Sequence, residues 1–440
     1  MNAGVLRLLL RPAPGGLAPI AIPAVAFTVV TGLVLIVVGG AQSFWTWDDE
    51  LSLVYQLLAA VALVLLVVPL MNLGGAAARL SARRRDERLS TLRLLGVTPA
   101  GVSVATVIES ALIAAIGAVA GVALYFATTP LIALIPFRGE ALGIGGVVLP
   151  AWMIAAVVGG VLLVAVVSAV IGLRRVNISP LGVRMRAEAA PVHWVRAVIG
   201  LSLAVVAFVI AGAVPGAQGI VMLIGGLVVV FAGTLALLNL VGPWVLKVSA
   251  RRQLRRAERP ERLLAARLVL DSPKAAWRQV SGIAMASFMA VFAGTGVSLM
   301  SVMGGEGAQA GEVALIADMR TGLIITLIAS FLMVAASVGV NQASAISDQR
   351  ELHSSLHRLG MPVEAVDRAR TRAIMSPLLV TAIGSAICAG VMIFPLVGIT
   401  LIVAPLSLAT IAAVLAAGIL TVWLSTRVTR PLLTRSFRTA

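Results

Sequence analysis

Few side chains in this sequence have a type and spacing that could do chemistry. Glu109 sits about two helical turns inside an apolar run, some 10 Å deep at about 1.5 Å per residue. An ionisable group there costs about 2–3 kcal/mol on membrane-insertion scales, so it marks either a structural ion pair or a proton or substrate site. His353 and His357 stand four apart, the spacing of two metal ligands on one helix face, but only Glu351 is near enough to add a third. A solvated face that meets a partner is the simpler reading of that pair. No GxxxxGK(S/T) phosphate loop exists, and the only lysines, Lys247 and Lys274, lie in other contexts. HExxH, CxxC and serine-elbow patterns are missing too, so the chain reads as a non-enzyme with no cofactor of its own.

The elements that must position these residues are set by composition. Hydrophobic residues make up 60%, charged residues 12%, and mean hydropathy is +1.05. Such a chain is a polytopic, all-α membrane protein. The net charge of +16 does not indicate nucleic acid, because the basic residues fall in the loops between apolar runs, where the positive-inside rule places them. Ten spans are expected, near residues 17–40, 53–78, 102–128, 152–173, 195–214, 220–246, 279–300, 319–345, 373–394 and 403–426. With that threading only Arg138 and Arg320 face outward, both termini are cytoplasmic, and the protein sits in the cell membrane. Trp45 and Trp47 are expected at headgroup depth. The single cysteine, Cys388, lies in an apolar run and can form no disulfide within the chain.

One charged, amphipathic stretch organises the chain. ArgArgArgAspGluArgLeuSerThrLeuArgLeuLeuGly ends at Gly96, and its pattern returns at a constant offset: Glu87, Ser90, Leu92, Leu95 and Gly96 reappear as Glu351, Ser354, Leu356, Leu359 and Gly360. Leu89, Leu92 and Leu95 share a helix face, and each terminal glycine can take the left-handed cap conformation. Two equivalent cytoplasmic knobs follow from this. The repeat divides the chain into a four-span half over residues 1–194, a two-span linker over 195–246, and a basic connector with a second four-span half over 247–440. Because six spans separate the starts of the halves, the copies are parallel. Glu109 has no acidic counterpart in the second half, where Ala373 takes its place, which weakens a proton relay. Gly117, Gly121, Gly159 and Gly160 read as close helix contacts. Met285, Phe288, Met289, Phe292, Met300, Phe331 and Met333 could line a hydrophobic path, or simply pack.

The first knob, the following ValIleGluSerAlaLeuIleAlaAlaIleGly, and the basic ArgArgValAsnIleSerProLeuGlyValArgMetArg together resemble the FtsX-like permease family, well over residues 53–186 and more weakly over about 319–430. The resemblance implies a MacB-type, or mechanotransmission, membrane subunit with both halves fused in one chain. It implies that a separate ABC ATP-binding subunit, in two copies and carrying ATP and magnesium, docks on Glu87, Leu89, Leu92, Leu95 and Gly96 and on Glu351, Leu356, Leu359 and Gly360. Outside segments of only about twenty residues set this chain apart from relatives with large extracytoplasmic domains. The expected cargo is an amphiphilic or hydrophobic molecule, such as an antimicrobial peptide, a drug or a lipid. The competing readings are a signalling subunit that regulates a cell-wall enzyme and, more remotely, an ion-coupled secondary transporter.

Overall fold

The structure is a computed structural model that describes residues 18–48, 51–66, 69–70, 73–74, 99–177, 217–303, 310–348, 355, 358–431 and 433. In chain order the helices are α1 (Ala18–Gln42), α2 (Ser52–Leu66), α3 (Pro99–Ala133), α4 (Gly143–Val147), α5 (Ala151–Asn177), α6 (Ala217–Arg255), α7 (Pro260–Asp271), α8 (Pro273–Met303), α9 (Ala310–Asp348), α10 (Val363–Met392), α11 (Phe394–Val403) and α12 (Pro405–Val428). Strands β1 (Pro136–Phe137) and β2 (Glu140–Ala141) form one short antiparallel ladder. The protein is an all-α polytopic membrane protein. Among the described residues, seven helices are long and apolar enough to cross a membrane, and Ser52–Leu66, Ala151–Val167 and Phe394–Val403 are shorter apolar stretches.

Each expected span except the fifth overlaps a described helix; the fifth, residues 195–214, lies outside the described residues. The boundaries differ instructively. The third span does not stop short of Pro130: α3 runs through it to Ala133. Pro130 brings no N–H to the Phe126 carbonyl one turn back, and Thr128 and Thr129 donate instead to the neighbouring carbonyls of Leu124 and Tyr125. An unexpected helix, α11, separates the ninth and tenth spans. Pro395 and Pro405 fall in the first turns of α11 and α12, where a missing N–H costs nothing.

Two compact units emerge, the first comprising residues 1–183, 289–363 and 392–440, the second residues 184–288 and 364–391. In the first, α3 lies against α1 at very short range. A Cβ built on Gly117 would stand 2.6 Å from the Ala24 carbonyl oxygen, and one on Gly121 would stand 2.6 Å from Thr31 Cβ. The glycine pair at i, i+4 therefore makes the helix-to-helix groove that the sequence suggested. Phe27, Ile113, Ala114 and Ala165 fill the adjoining core. Gly159 and Gly160 do not behave this way: no described atom comes within 4 Å of a Cβ on either, and both are exposed on α5. Helical geometry put them on the outward face. Tyr125 ties the layer together, its fully buried phenol donating to the Val147 carbonyl at 2.7 Å and accepting from the Leu149 N–H at 2.9 Å.

Replacing Gly121 by alanine is expected to destabilise the protein by about 1–3 kcal/mol, the usual magnitude for overpacking a close contact. Gly159→Ala should change nothing. Thermal scans of both purified variants by size-exclusion chromatography test the contrast.

In the second unit α7 packs on α6. The Trp277 indole N–H donates to Asn239 at 2.7 Å, its ring lying over Gly242, and Gln253 donates to Ser376. Within α10, Arg370 pairs with Asp367 at 3.0 Å, both buried. Glu109 was expected to be the one carboxylate well inside a span. Asp318 and Asp367, both buried, also lie within helices long and apolar enough to cross a membrane.

Candidate functional site

Polar chemistry concentrates at one end of α9, remote from Asp348, and four separate segments build it. The 3₁₀ turn Ser43–Thr46 after α1 delivers Phe44, and Trp47 follows directly. The first turn of α2 delivers Tyr55. The β1–β2 hairpin delivers Phe137 and Arg138, and α9 delivers Asp318. Asp318 is only 6% exposed. Its Oδ2 accepts the Tyr55 hydroxyl at 2.6 Å and the Arg138 backbone N–H at 2.8 Å. The buried carboxylate is thereby held by two donors from parts of the chain far removed from it in sequence.

Arg138 occupies an unusual backbone position for a specific reason. The hairpin turn has two central residues, Arg138 and Gly139, both with positive φ, +57° and +80°. Glycine takes this freely, but a side chain costs about 1–2 kcal/mol there. The guanidinium offsets it: Arg138 Cζ lies 3.9 Å from the Trp47 ring centroid and 4.7 Å from that of Tyr55, both within cation–π range. Phe44 completes the cluster, its centroid 5.1 Å from Trp47, 5.9 Å from Tyr55 and 5.1 Å from Phe137. Trp45 is half-exposed, whereas Trp47 is part of this aromatic seat. The arrangement is a latch: it fixes three chain segments to one long helix, and among the described residues no group of three or more His, Cys, Asp or Glu could hold a metal ion.

The knob residues predicted from the sequence lie mostly beyond what the structure describes. Glu87, Leu89, Leu92, Leu95 and Gly96 are outside the described residues, as are Glu351, Leu356, His353 and His357. At the second knob, Leu359 is 83% exposed, its N–H bonded to the Ser355 carbonyl at 3.1 Å. Gly360 follows with φ +83°, the left-handed termination read from its position. An apolar side chain held out on a helix-ending turn suits a contact surface. Glu109 is half-buried on α3.

Residues 57–180 match the family of FtsX-like permease C-terminal domains. Over that segment the chain is similar to an FtsX-like permease domain. No curated protein and no solved structure matches the chain. The matched segment contains residues 87–96, α3 with Glu109 and its glycine groove, and the hairpin with Arg138; α9, with Asp318, lies outside it. The latch therefore joins Arg138, inside the matched segment, to α9, outside it.

Sequence reasoning noted Arg138 only as a charge outside the basic loops and missed Tyr55 and Asp318. Asp318 was assigned one residue before the eighth span; α9 in fact begins at Ala310, which makes it a buried helical carboxylate. The signal was an acidic residue at the edge of an apolar run together with Arg138, an arginine set apart from the basic clusters. Of the soft residues considered for a ligand path, Phe288, Met289, Phe331 and Met333 are buried packing residues, Phe331 lying against Gly418 and Met333 in the core with Val30, Leu66 and Leu73. None of the seven lines the cavity of about 340 Å³ that opens between α8, α9 and α12.

Proposed function

We propose that the chain is the membrane subunit of an ABC transporter, driven by a separate cytoplasmic ATPase dimer. Two ATP-binding subunits, holding ATP and magnesium, dock on the knobs around Glu87 to Gly96 and Glu351 to Gly360, and their closure moves spans that act as levers. Both termini and both knobs lie on the cytoplasmic side, and the latch on the outer one. The halves over residues 1–194 and 247–440, joined by the hairpin over 195–246, close a cleft for an amphiphilic or hydrophobic cargo.

The observation that carries this reading is α9. It is one uninterrupted helix of 39 residues, about 58 Å long. A hydrocarbon core is about 30 Å thick, so the helix extends well past it. One end bears Asp318 in the latch and the other leads at Asp348 toward the second knob. A helix satisfies its own backbone and so moves as a rod, which lets displacement at the knob reach the latch. Co-reconstitution in proteoliposomes with the ATP-binding subunit of the same transporter tests the proposal. Magnesium-dependent ATP hydrolysis should rise several-fold over the ATPase alone. A chain that neither binds nor stimulates that subunit, or that moves cargo without it, would sink the reading.

A further inference from the structure

The cavity between α8, α9 and α12 has a chemistry that the latch and the knobs do not use. Its walls are mainly apolar, with Val297, Ile316, Leu323 and Ile411 among them, and Arg320 is the one charged group of its lining among the described residues. Among the described residues Arg320 has no carboxylate within ion-pair distance, and the cavity lining includes none. Of the four hydroxyl residues in the described lining, three already donate to backbone carbonyls, which leaves Ser407 as the one that could assist Arg320. Ser298 gives its proton to the Gly294 carbonyl at 2.7 Å, Ser301 to the Ser298 carbonyl at 2.7 Å and Thr410 to the Leu406 carbonyl at 2.8 Å. A guanidinium with five donors thus sits at the rim of an apolar chamber. Two residues away, Asp318 points to the other side of α9, because a two-residue step turns a helix by roughly 200°.

We infer that this cavity is a binding site for a single-chain anionic amphiphile, with the headgroup on Arg320 and the tail between α8, α9 and α12. The inference deepens the amphiphile reading of the cargo and rests on it only for biological meaning. A cationic amphiphile would meet Arg320, and no carboxylate stands among the described lining residues. A neutral one would leave the guanidinium to water. The volume, near the lower end of the roughly 300–1,000 Å³ of small-molecule sites, suits one chain better than two. From Arg320 to Leu327 the lining runs about 10 Å along α9, which gives the tail an apolar wall leading away from the charge.

Native mass spectrometry of the purified full-length chain, titrated with decyl phosphate, tests this without any ATPase present. One saturable equivalent is expected. Arg320→Gln should weaken it about tenfold or more, and Arg320→Lys should retain most of it, since a single charge–phosphate contact is at stake. Ala317→Trp, which fills the chamber and leaves Arg320 in place, should abolish it. Inorganic phosphate, decyl maltoside and decyltrimethylammonium should fail to compete. The proposal is overturned if Arg320→Gln binds decyl phosphate as the parent does, if the neutral or cationic amphiphile competes equally, or if adducts accumulate without saturation. Equal competition by a two-chain phosphatidylglycerol would overturn the single-chain assignment and make the site a bilayer-lipid seat. Because no partner subunit enters the measurement, its failure leaves the ATP-driven reading standing, and failure of that reading leaves the binding result intact.

Discussion

A chain carrying aspartate at both Leu356 and Leu359 loses more than nine-tenths of its stimulation of the partner ATPase, while still inserting in the membrane and eluting as a single species. The expectation follows from the exposure of Leu359, 83%, on a turn closed by the left-handed Gly360. A side chain so placed contributes little to this chain's own packing, so its replacement leaves the fold intact. In a docked interface it would be an apolar anchor, and an aspartate there must be desolvated against an apolar surface, which costs several kcal/mol. Leu92→Asp at the first knob should act in the same direction, and the two knobs together should leave no stimulation. Magnesium-ATPase rates of the reconstituted pair measure the effect. Unchanged stimulation in all variants would remove the docking assignment.

The second large effect is at the opposite end of α9 and should have a different signature. Asp318→Ala leaves the Tyr55 hydroxyl and the Arg138 N–H without their common acceptor, and hydrogen bonds to a charged group are each worth about 1.5–3 kcal/mol. A drop of several degrees in the thermal midpoint is expected, with Asp318→Asn intermediate because the amide oxygen still accepts. Tyr55→Phe breaks one of the two bonds and should lie between Asn and the parent. In the reconstituted transporter, Asp318→Ala should keep ATPase stimulation and lose cargo movement, since the knob still engages but the rod no longer pulls on Arg138, Tyr55 and Trp47. Loss of both activities together, with no thermal change, would show that the latch is not a separate coupling element.

These two predictions also show how unevenly the chain could be read. The glycine groove was legible, because Gly117 and Gly121 recur at the helical spacing that brings two backbones together. Identical logic failed for Gly159 and Gly160: small residues allow a close contact but do not say which neighbour, if any, will be there. Arg138 was visible as a charge in the wrong place for a cytoplasmic loop, yet its positive φ and its stacking on Trp47 depend on a hairpin that only the folded chain closes. Asp318 was misassigned because its helix starts well outside the apolar run that hydropathy marks.

What the sequence determined by itself is what transfer from water to lipid and local motif govern: a polytopic, all-α membrane protein and its likeness to an FtsX-like permease. Those properties are sums over local windows, so order along the chain is enough to compute them. Tertiary structure alone decided that Tyr55, Arg138 and Asp318 meet, that Met333 and Phe331 pack rather than line a path, and that Arg320 faces an apolar chamber. Each of those depends on the rotation of one helix about its axis relative to another. A two-residue step turns a side chain from one face to the other, as Asp318 and Arg320 show, and apolarity averaged along a span carries no record of that angle.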